Sequence, residues 1–113
     1  MPAYPKKKEA KKRQRHGKSI IQEKDGRCFL CRMAGDERQK TVEEHHVFGG
    51  PRRAISEAEG LKVYLCIEHH REGQAAAHGC KETRELLQRI AQEKWEEKGT
   101  REEWMRLMGK NYR

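Results

Sequence analysis

The residues of this chain that are best suited to chemistry are cysteines and histidines at metal-ligand spacing. The first pair is Cys28 and Cys31 and the second is Cys66 and His69, each separated by two residues. A structural Zn²⁺ takes four thiolate or imidazole ligands in a tetrahedron, and the two pairs together supply four. The sequence therefore predicts one closed zinc site. Cys80 is the alternative fourth ligand, and we favour His69 because it has the paired spacing.

The remaining histidines predict a second, open metal site. His45 lies at the end of a predicted strand and His70 directly follows the second zinc pair, so both are placed to bind one divalent cation. His78 is a third candidate ligand, with a surface or packing role as the alternative. His46 points to the opposite side of the strand from His45, because successive side chains alternate. A neutral imidazole there is suited to act as a general base on a water molecule beside a metal-bound phosphate.

Length and composition favour a small metal-stapled domain. The chain has 113 residues, of which 34% are hydrophobic and 39% are charged. So few apolar residues form a small core, which needs additional stabilisation such as a bound metal ion. It has no run of about 18 apolar residues that would span a membrane and no segment resembling a signal peptide. Two cysteines at CxxC spacing beside histidines favour reduced, metal-binding thiols over disulfides. We therefore expect a cytoplasmic protein.

The net charge of +8 is concentrated at the N-terminus. Residues 1–24 contain nine Lys or Arg and two Glu, whereas residues 25–113 have a net charge of only +1. Such a cluster is typical of an arm that binds nucleic-acid phosphates, and a solubilising disordered tail is the alternative. The metal-ligand pattern favours a nucleic acid as the partner. The candidate phosphate-binding residues of the arm are Lys6, Lys7, Lys8, Lys11, Lys12, Arg13 and Arg15.

The pattern of apolar residues predicts an α+β fold. It divides the chain into a flexible basic arm (1–24), a zinc-stapled core (25–80) and two C-terminal helices that pack on the core (81–113). The segment 52–60 is predicted to be a polar loop, with one helical turn as an option. The other predicted elements are a zinc knuckle at 27–33, strands at 41–48 and 61–65, a helix from residue 67, and helices at 81–98 and 100–108.

These motifs resemble those of HNH endonucleases, which have the ββα-metal or His-Me finger fold. The likeness is greatest to zinc-stapled members from phages and prophages, some of which act in recombination. It implies that His46 is the general base and that His45 and His70 bind the catalytic metal. The family commonly orients its base with an Asn, but the corresponding position is near Gly60, so a backbone carbonyl would have to serve. The resemblance is carried by Cys28-x2-Cys31, Glu44-His45-His46-Val47, Gly49-Gly50 and Leu65-Cys66-x2-His69-His70.

Two functional hypotheses follow from these residues. The first is a metal-dependent DNA endonuclease of a bacterial or phage-infected cell, with structural Zn²⁺ and a catalytic cation such as Mg²⁺, Mn²⁺, Ni²⁺ or Zn²⁺. The second is a non-catalytic, zinc-stapled nucleic-acid-binding protein. This hypothesis includes an inactive member of the HNH family. Arg52 and Arg53 are candidate phosphate clamps, or else part of an ordinary solvated loop. The C-terminal helices offer a surface for a protein partner.

Overall fold

A computed structural model describes residues 16–113 of the chain. The phosphate-binding residues predicted between Lys6 and Arg15 lie outside the described residues. The described part combines a two-stranded sheet with helices, which confirms the α+β class. Its elements are α1 (Phe29–Met33), β1 (Val42–His46), a 3₁₀ turn (Gly50–Arg52), α2 (Arg53–Glu59), β2 (Lys62–Cys66), a π-helical turn (Glu68–Glu72), α3 (Lys81–Trp95) and α4 (Arg101–Met108).

The antiparallel hairpin of β1 and β2 divides the candidate site residues between two faces. In its register His45 pairs with Val63 and His46 pairs with Lys62. Because side chains alternate along a strand, directly opposed residues project from the same face of the hairpin. His45 therefore shares one face with Val63, and His46 shares the other with Lys62. The predicted opposition of the two histidines is confirmed by this register.

The C-terminal helices close the core through aromatic packing. The ring of Trp104 in α4 packs edge-on against Phe48 and against Trp95, and Phe48 also contacts Tyr112. Trp104 is fully buried, and its indole N–H donates to the carbonyl of Lys110. The apolar stripes of both helices thus face inward, as their spacing predicts.

The termini of α4 follow its local sequence signals. The side chain of Thr100 accepts a hydrogen bond from the Glu103 backbone N–H, and the Glu103 carboxylate accepts one from the Thr100 N–H. This reciprocal pair is the predicted capping box. Gly109 ends the helix with φ of 77°, in the left-handed region that glycine tolerates.

The folded body includes residues before position 25, within the segment predicted as the basic arm. The Gly17 N–H donates to the carbonyl of Glu57, and the Ile20 N–H donates to the carbonyl of Gly60. The Ser19 hydroxyl donates to the carbonyl of Lys62. Residues 17–20 are therefore tied to α2 and its C-cap by the backbone of Gly17 and Ile20, and to β2 by the side chain of Ser19. The charge pattern alone did not indicate these contacts.

Two other predicted elements differ from the structure. Residues 53–59 form the helix α2 instead of a loop with a single turn, because Ser56 is buried and its hydroxyl exchanges hydrogen bonds with the backbone of Phe48. The helix predicted from Ile67 is only a π-helical turn of five residues, Glu68–Glu72, which ends at Gly73. Among residues 16–113, no helix combines the length and the apolar character needed to cross a membrane.

Candidate metal centre and its histidine pair

The four predicted zinc ligands converge on one point. Cys28 caps the N-terminus of α1, Cys31 lies within that helix, Cys66 ends β2, and His69 is in the π-helical turn. Nδ1 of His69 lies 3.4 Å from each of the three Sγ atoms, and the Sγ atoms of Cys31 and Cys66 are 3.9 Å apart. A tetrahedral zinc with bonds of about 2.3 Å to S and 2.0 Å to N requires about 3.5 Å between a sulfur and the nitrogen and about 3.8 Å between two sulfurs. The residues present fit a structural zinc ion.

Cys80 does not belong to this cluster. Its half-buried thiol is 3.5 Å from Oε1 of Glu82, at the start of α3. The geometry therefore gathers three cysteines and one histidine, with His69 in the fourth position. This is the ligand set that the paired spacing favours.

Lys40, which the sequence did not indicate, supplies a positive charge beside the predicted zinc ligands. Its Nζ lies 2.9 Å from Sγ of Cys31, and the hydrogen bond to this sulfur raises the pKa of Lys40. Burial raises the pKa of Cys28 to about 11, so without metal this thiol keeps its proton at neutral pH. Zinc binding must then release that proton. With Zn²⁺ bound, three thiolates would leave a net charge of −1 beside the Lys40 ammonium, which also pairs with Asp36 at 2.9 Å.

The surroundings of the Cys66 thiol favour its ionised form. Burial alone would raise its pKa, but the backbone N–H of His69, hydrogen bonds from Cys28 and Cys31 and the charge of Lys40 together lower it. The Cys31 N–H likewise points at Sγ of Cys28, 3.4 Å away. Backbone donors aimed at sulfur are what the predicted zinc knuckle requires.

The second predicted metal cluster also comes together. One ring nitrogen from each of His45, His70 and His78 lies within 4.8 Å of the others. The Nε2 atoms of His70 and His78 are 3.0 Å apart, and the rings of His45 and His70 have centroids 5.1 Å apart. Burial lowers the pKa of His45 to about 4, so its imidazole is neutral at physiological pH. Neutral imidazole is the metal-binding form.

The turn after β2 brings His78 back to His70. The Ala77 N–H donates to the carbonyl of His69, and the His78 N–H donates to the carbonyl of His70. These two backbone bonds fold the segment 73–79 over the π-helical turn. They explain how a histidine eight residues after His70 joins the same cluster, which spacing alone left open.

A carboxylate orients His70 toward the cluster. Oε1 of Glu43 lies 2.7 Å from Nδ1 of His70, so the Nδ1–H donates to Glu43 and Nε2 remains free for a metal. Glu43 is held in turn by the guanidinium of Arg71, and the hydrogen bonds from Arg71 and His70 lower its pKa to about 2. Three protein ligands leave coordination positions for substrate and water, unlike the closed zinc site.

His46 has a separate environment on the other face of the hairpin. Its Nε2 lies 2.6 Å from Oε1 of Glu57 in α2 and 3.9 Å from Oε1 of Glu44. Nζ of Lys62 is 3.2 Å from a carboxylate oxygen of each glutamate. The family resemblance implies a backbone carbonyl beside His46, whereas the structure places the carboxylate of Glu57 there. The sequence does not indicate this contact, because segment 52–60 is predicted to be a loop.

The predicted phosphate clamps differ in their contacts. The Nε–H of Arg52 donates to the carbonyl of Met108 and so joins the core to the end of α4, whereas Arg53 is exposed. Two further cations lie beside the histidine cluster: Arg71, paired with Glu43, and Arg84, whose Nη1 is 3.4 Å from the carbonyl of His78. Their positions follow from the turn after β2, which spacing did not predict.

Comparisons of the chain with protein-family models, with curated proteins and with solved structures gave no match.

Proposed function

We propose that this chain is a metal-dependent endonuclease that hydrolyses phosphodiester bonds in DNA. The observation that carries the proposal is the division of neighbouring histidines between two roles. His45 contributes to a cluster of three imidazoles with open coordination positions, while the adjacent His46 is outside that cluster and is held by a carboxylate. The predicted zinc cluster, to which β2 contributes Cys66, includes neither histidine. The resemblance to HNH endonucleases assigns metal binding and general base catalysis to the same two residues.

The chemistry of the donors indicates which cations suit the open cluster. Its three candidate ligands are imidazole nitrogens, which favour Zn²⁺, Ni²⁺ and similar transition metals. Mg²⁺ prefers oxygen ligands in octahedral geometry. We therefore expect transition metals to support activity better than Mg²⁺. A cation at this position would neutralise charge on the scissile phosphate.

In this mechanism His46 accepts a proton from the attacking water, and the resulting hydroxide attacks phosphorus. The bond from phosphorus to the leaving oxygen breaks, and that oxygen takes a proton from solvent. Arg71 and Arg84 are placed beside the histidine cluster to attract phosphate oxygens. Phosphate contacts carry little sequence information, so we expect weak sequence preference. A role in phage DNA processing or recombination is the part of the proposal that depends on the family resemblance.

A non-catalytic, zinc-stapled nucleic-acid-binding protein is the second candidate. It is favoured by the surroundings of His46, whose side chain is only 13% exposed and is bonded to Glu57 within a network that includes Lys62. Such a network is also what a structural imidazole would have. The two candidates differ in whether removal of the His46 imidazole changes any chemistry.

The test is a cleavage assay on duplex, branched and single-stranded DNA with Mg²⁺, Mn²⁺, Ni²⁺ or Zn²⁺ added. His46→Ala should keep structural zinc, thermal stability and DNA affinity but lose cleavage by about two to four orders of magnitude, the usual scale for a general base. His70→Ala should instead weaken binding of the added metal, measured by calorimetry. Equal cleavage by wild type and His46→Ala, purified identically, would reject the nuclease mechanism and leave the binding protein.

A further inference from the structure

We propose that Glu57 is the positioning residue of His46, holding the ring proton on Nε2 so that the Nδ1 lone pair is the one that accepts a proton from water. The catalytic part of this inference rests on the proposed nuclease function, whereas the ring orientation and tautomer do not. Glu57 lies outside the motifs that carry the family resemblance. It is 11 positions from His46 in the chain and reaches it only because residues 53–59 are helical.

The bond between the two side chains is short. Nε2 of His46 and Oε1 of Glu57 are 2.6 Å apart, the length of a charge-assisted hydrogen bond. An ionised carboxylate only accepts hydrogen bonds, so the imidazole must be the donor. Glu57 is ionised, because hydrogen bonds from His46, His16 and Lys62 lower its pKa to about 2. In a neutral ring with its proton on Nε2, the acceptor nitrogen is Nδ1.

Lys62 makes a metal ion in this position unfavourable. Glu44, His46 and Glu57 lie close enough together to hold a cation. However, the ammonium of Lys62 is 3.2 Å from an oxygen of each glutamate, and its side chain is only 6% exposed. Although burial opposes its charge, the two glutamates outweigh this effect and raise the pKa of Lys62. A divalent cation would have to displace a buried ammonium that already compensates the carboxylates.

Glu57 does more than neutralise Lys62. Glu44 pairs with Lys62 at the same 3.2 Å distance, so one carboxylate would suffice for that charge. The closest contact of Glu57 is with His46, and its other oxygen accepts from Nδ1 of His16 at 2.9 Å. The strand register places His46 and Lys62 on one face, and Glu57 is positioned by α2 to contact both. The arrangement fixes the imidazole from one side and leaves Nδ1 for a reactant.

The test is the protonation state of the His46 ring in full-length, zinc-loaded protein labelled with ¹⁵N-histidine. Long-range ¹H–¹⁵N spectra distinguish the two neutral tautomers, and a His46→Gln sample assigns the signals. We expect Nε2–H in wild type, a mixture of tautomers in Glu57→Ala, and substantial recovery of Nε2–H in Glu57→Gln, whose amide oxygen still accepts the bond. His16→Ala is the matched control: it removes the contact to the other carboxylate oxygen and should leave the His46 tautomer unchanged. Zinc content and thermal unfolding verify that each variant is folded.

The same variants test the catalytic part. Glu57→Ala should lower kcat by about one to two orders of magnitude, the scale for outer partners of functional imidazoles, with little change in KM, and Glu57→Gln should recover part of the loss. A proton on Nδ1 of His46 in wild type would overturn the inference, and this measurement does not depend on whether Glu57→Ala folds. An unchanged tautomer in folded Glu57→Ala would also overturn it. Absence of cleavage by wild type, together with a tautomer that depends on Glu57, would reject the nuclease and leave Glu57 as the residue that orients His46.

Discussion

At the scale of single residues, the partner of each ring nitrogen separates the histidines into roles. Nδ1 of His69 faces three sulfurs, Nδ1 of His70 is bonded to Glu43, and Nε2 of His46 is bonded to Glu57. Residue type and spacing predict which histidines do chemistry. They do not predict the carboxylates, because Glu43 lies 27 positions from His70 and Glu57 lies 11 positions from His46. Such partners are fixed by strand register and helix placement, not by local sequence.

The fourth zinc ligand is tested by two single substitutions. His69→Ala should lose at least about 3 kcal/mol of the roughly 10–16 kcal/mol that structural zinc supplies. The melting temperature should therefore fall by about 12 °C or more, with reduced zinc content. Cys80→Ser is the matched control and should leave both nearly unchanged, because the Cys80 thiol contacts Glu82 and not the cluster. Zinc content by mass spectrometry and thermal unfolding measure the two effects. The reverse ranking would assign Cys80 to the zinc and free His69.

At the scale of secondary structure, the elements with local signals were predictable. The strands β1 and β2 and the helices α3 and α4 lie close to the predicted ranges, because apolar periodicity and the capping box at Thr100 are encoded within each segment. Helix α2 was not predicted. Its seven residues have no strong apolar stripe, and its only buried residue, Ser56, is held by the backbone of Phe48. A tertiary contact of this kind leaves no periodic pattern.

The end of α2 provides a test of how the N-terminal segment joins the folded body. Gly60 and Gly109 both end helices with positive φ, 76° and 77°. A Cβ at Gly60 would overlap the carbonyl oxygen of Lys18, whereas one at Gly109 would meet open space. Gly109→Ala should therefore cost only the left-handed strain, about 1–2 kcal/mol. Gly60→Ala adds overpacking of about 1–3 kcal/mol and the loss of nearby hydrogen bonds, about 3–5 kcal/mol in total.

Urea unfolding of the zinc-loaded variants measures this difference. Because small domains have only about 5–15 kcal/mol of stability, Gly60→Ala should shift the midpoint far more than Gly109→Ala. Equal losses for the two alanine variants would show that residues 17–20 do not pack on the end of α2.

At the scale of the whole molecule, most of the positive charge precedes the described part of the chain, which begins beside His46. Residues 1–15 carry seven Lys or Arg and one Glu, which leaves a net charge of +2 for residues 16–113. The first described residue, His16, contacts Glu57, which in turn contacts His46. The described part of the chain therefore begins beside the proposed general base. If the basic residues before His16 bind phosphates, they would hold the backbone of a nucleic acid close to the proposed site of cleavage.

The contribution of the arm to affinity is measured by a salt titration of DNA binding for the full-length chain and for a chain that lacks residues 1–15. If about five or six cations of the arm reach phosphates of duplex DNA, log affinity should fall with log salt at a slope near −5. The truncation ends at residue 15 because Gly17 and Ile20 are hydrogen-bonded to the folded body. The truncated chain should show a flatter slope and weaker binding on every DNA sequence alike.

The truncated chain should still cut slowly at low salt, since His46 and the metal ligands remain in place. A slope that does not change on truncation would contradict the role of the arm. The phosphate contacts would then have to come from the folded body, where Arg53 is exposed after the 3₁₀ turn and Arg71 and Arg84 flank the histidine cluster. Three such contacts would give a slope of only about −3, so other Lys or Arg side chains of residues 16–113 would also have to face the DNA. Charge reversal at Arg84 would then flatten the slope where truncation had not.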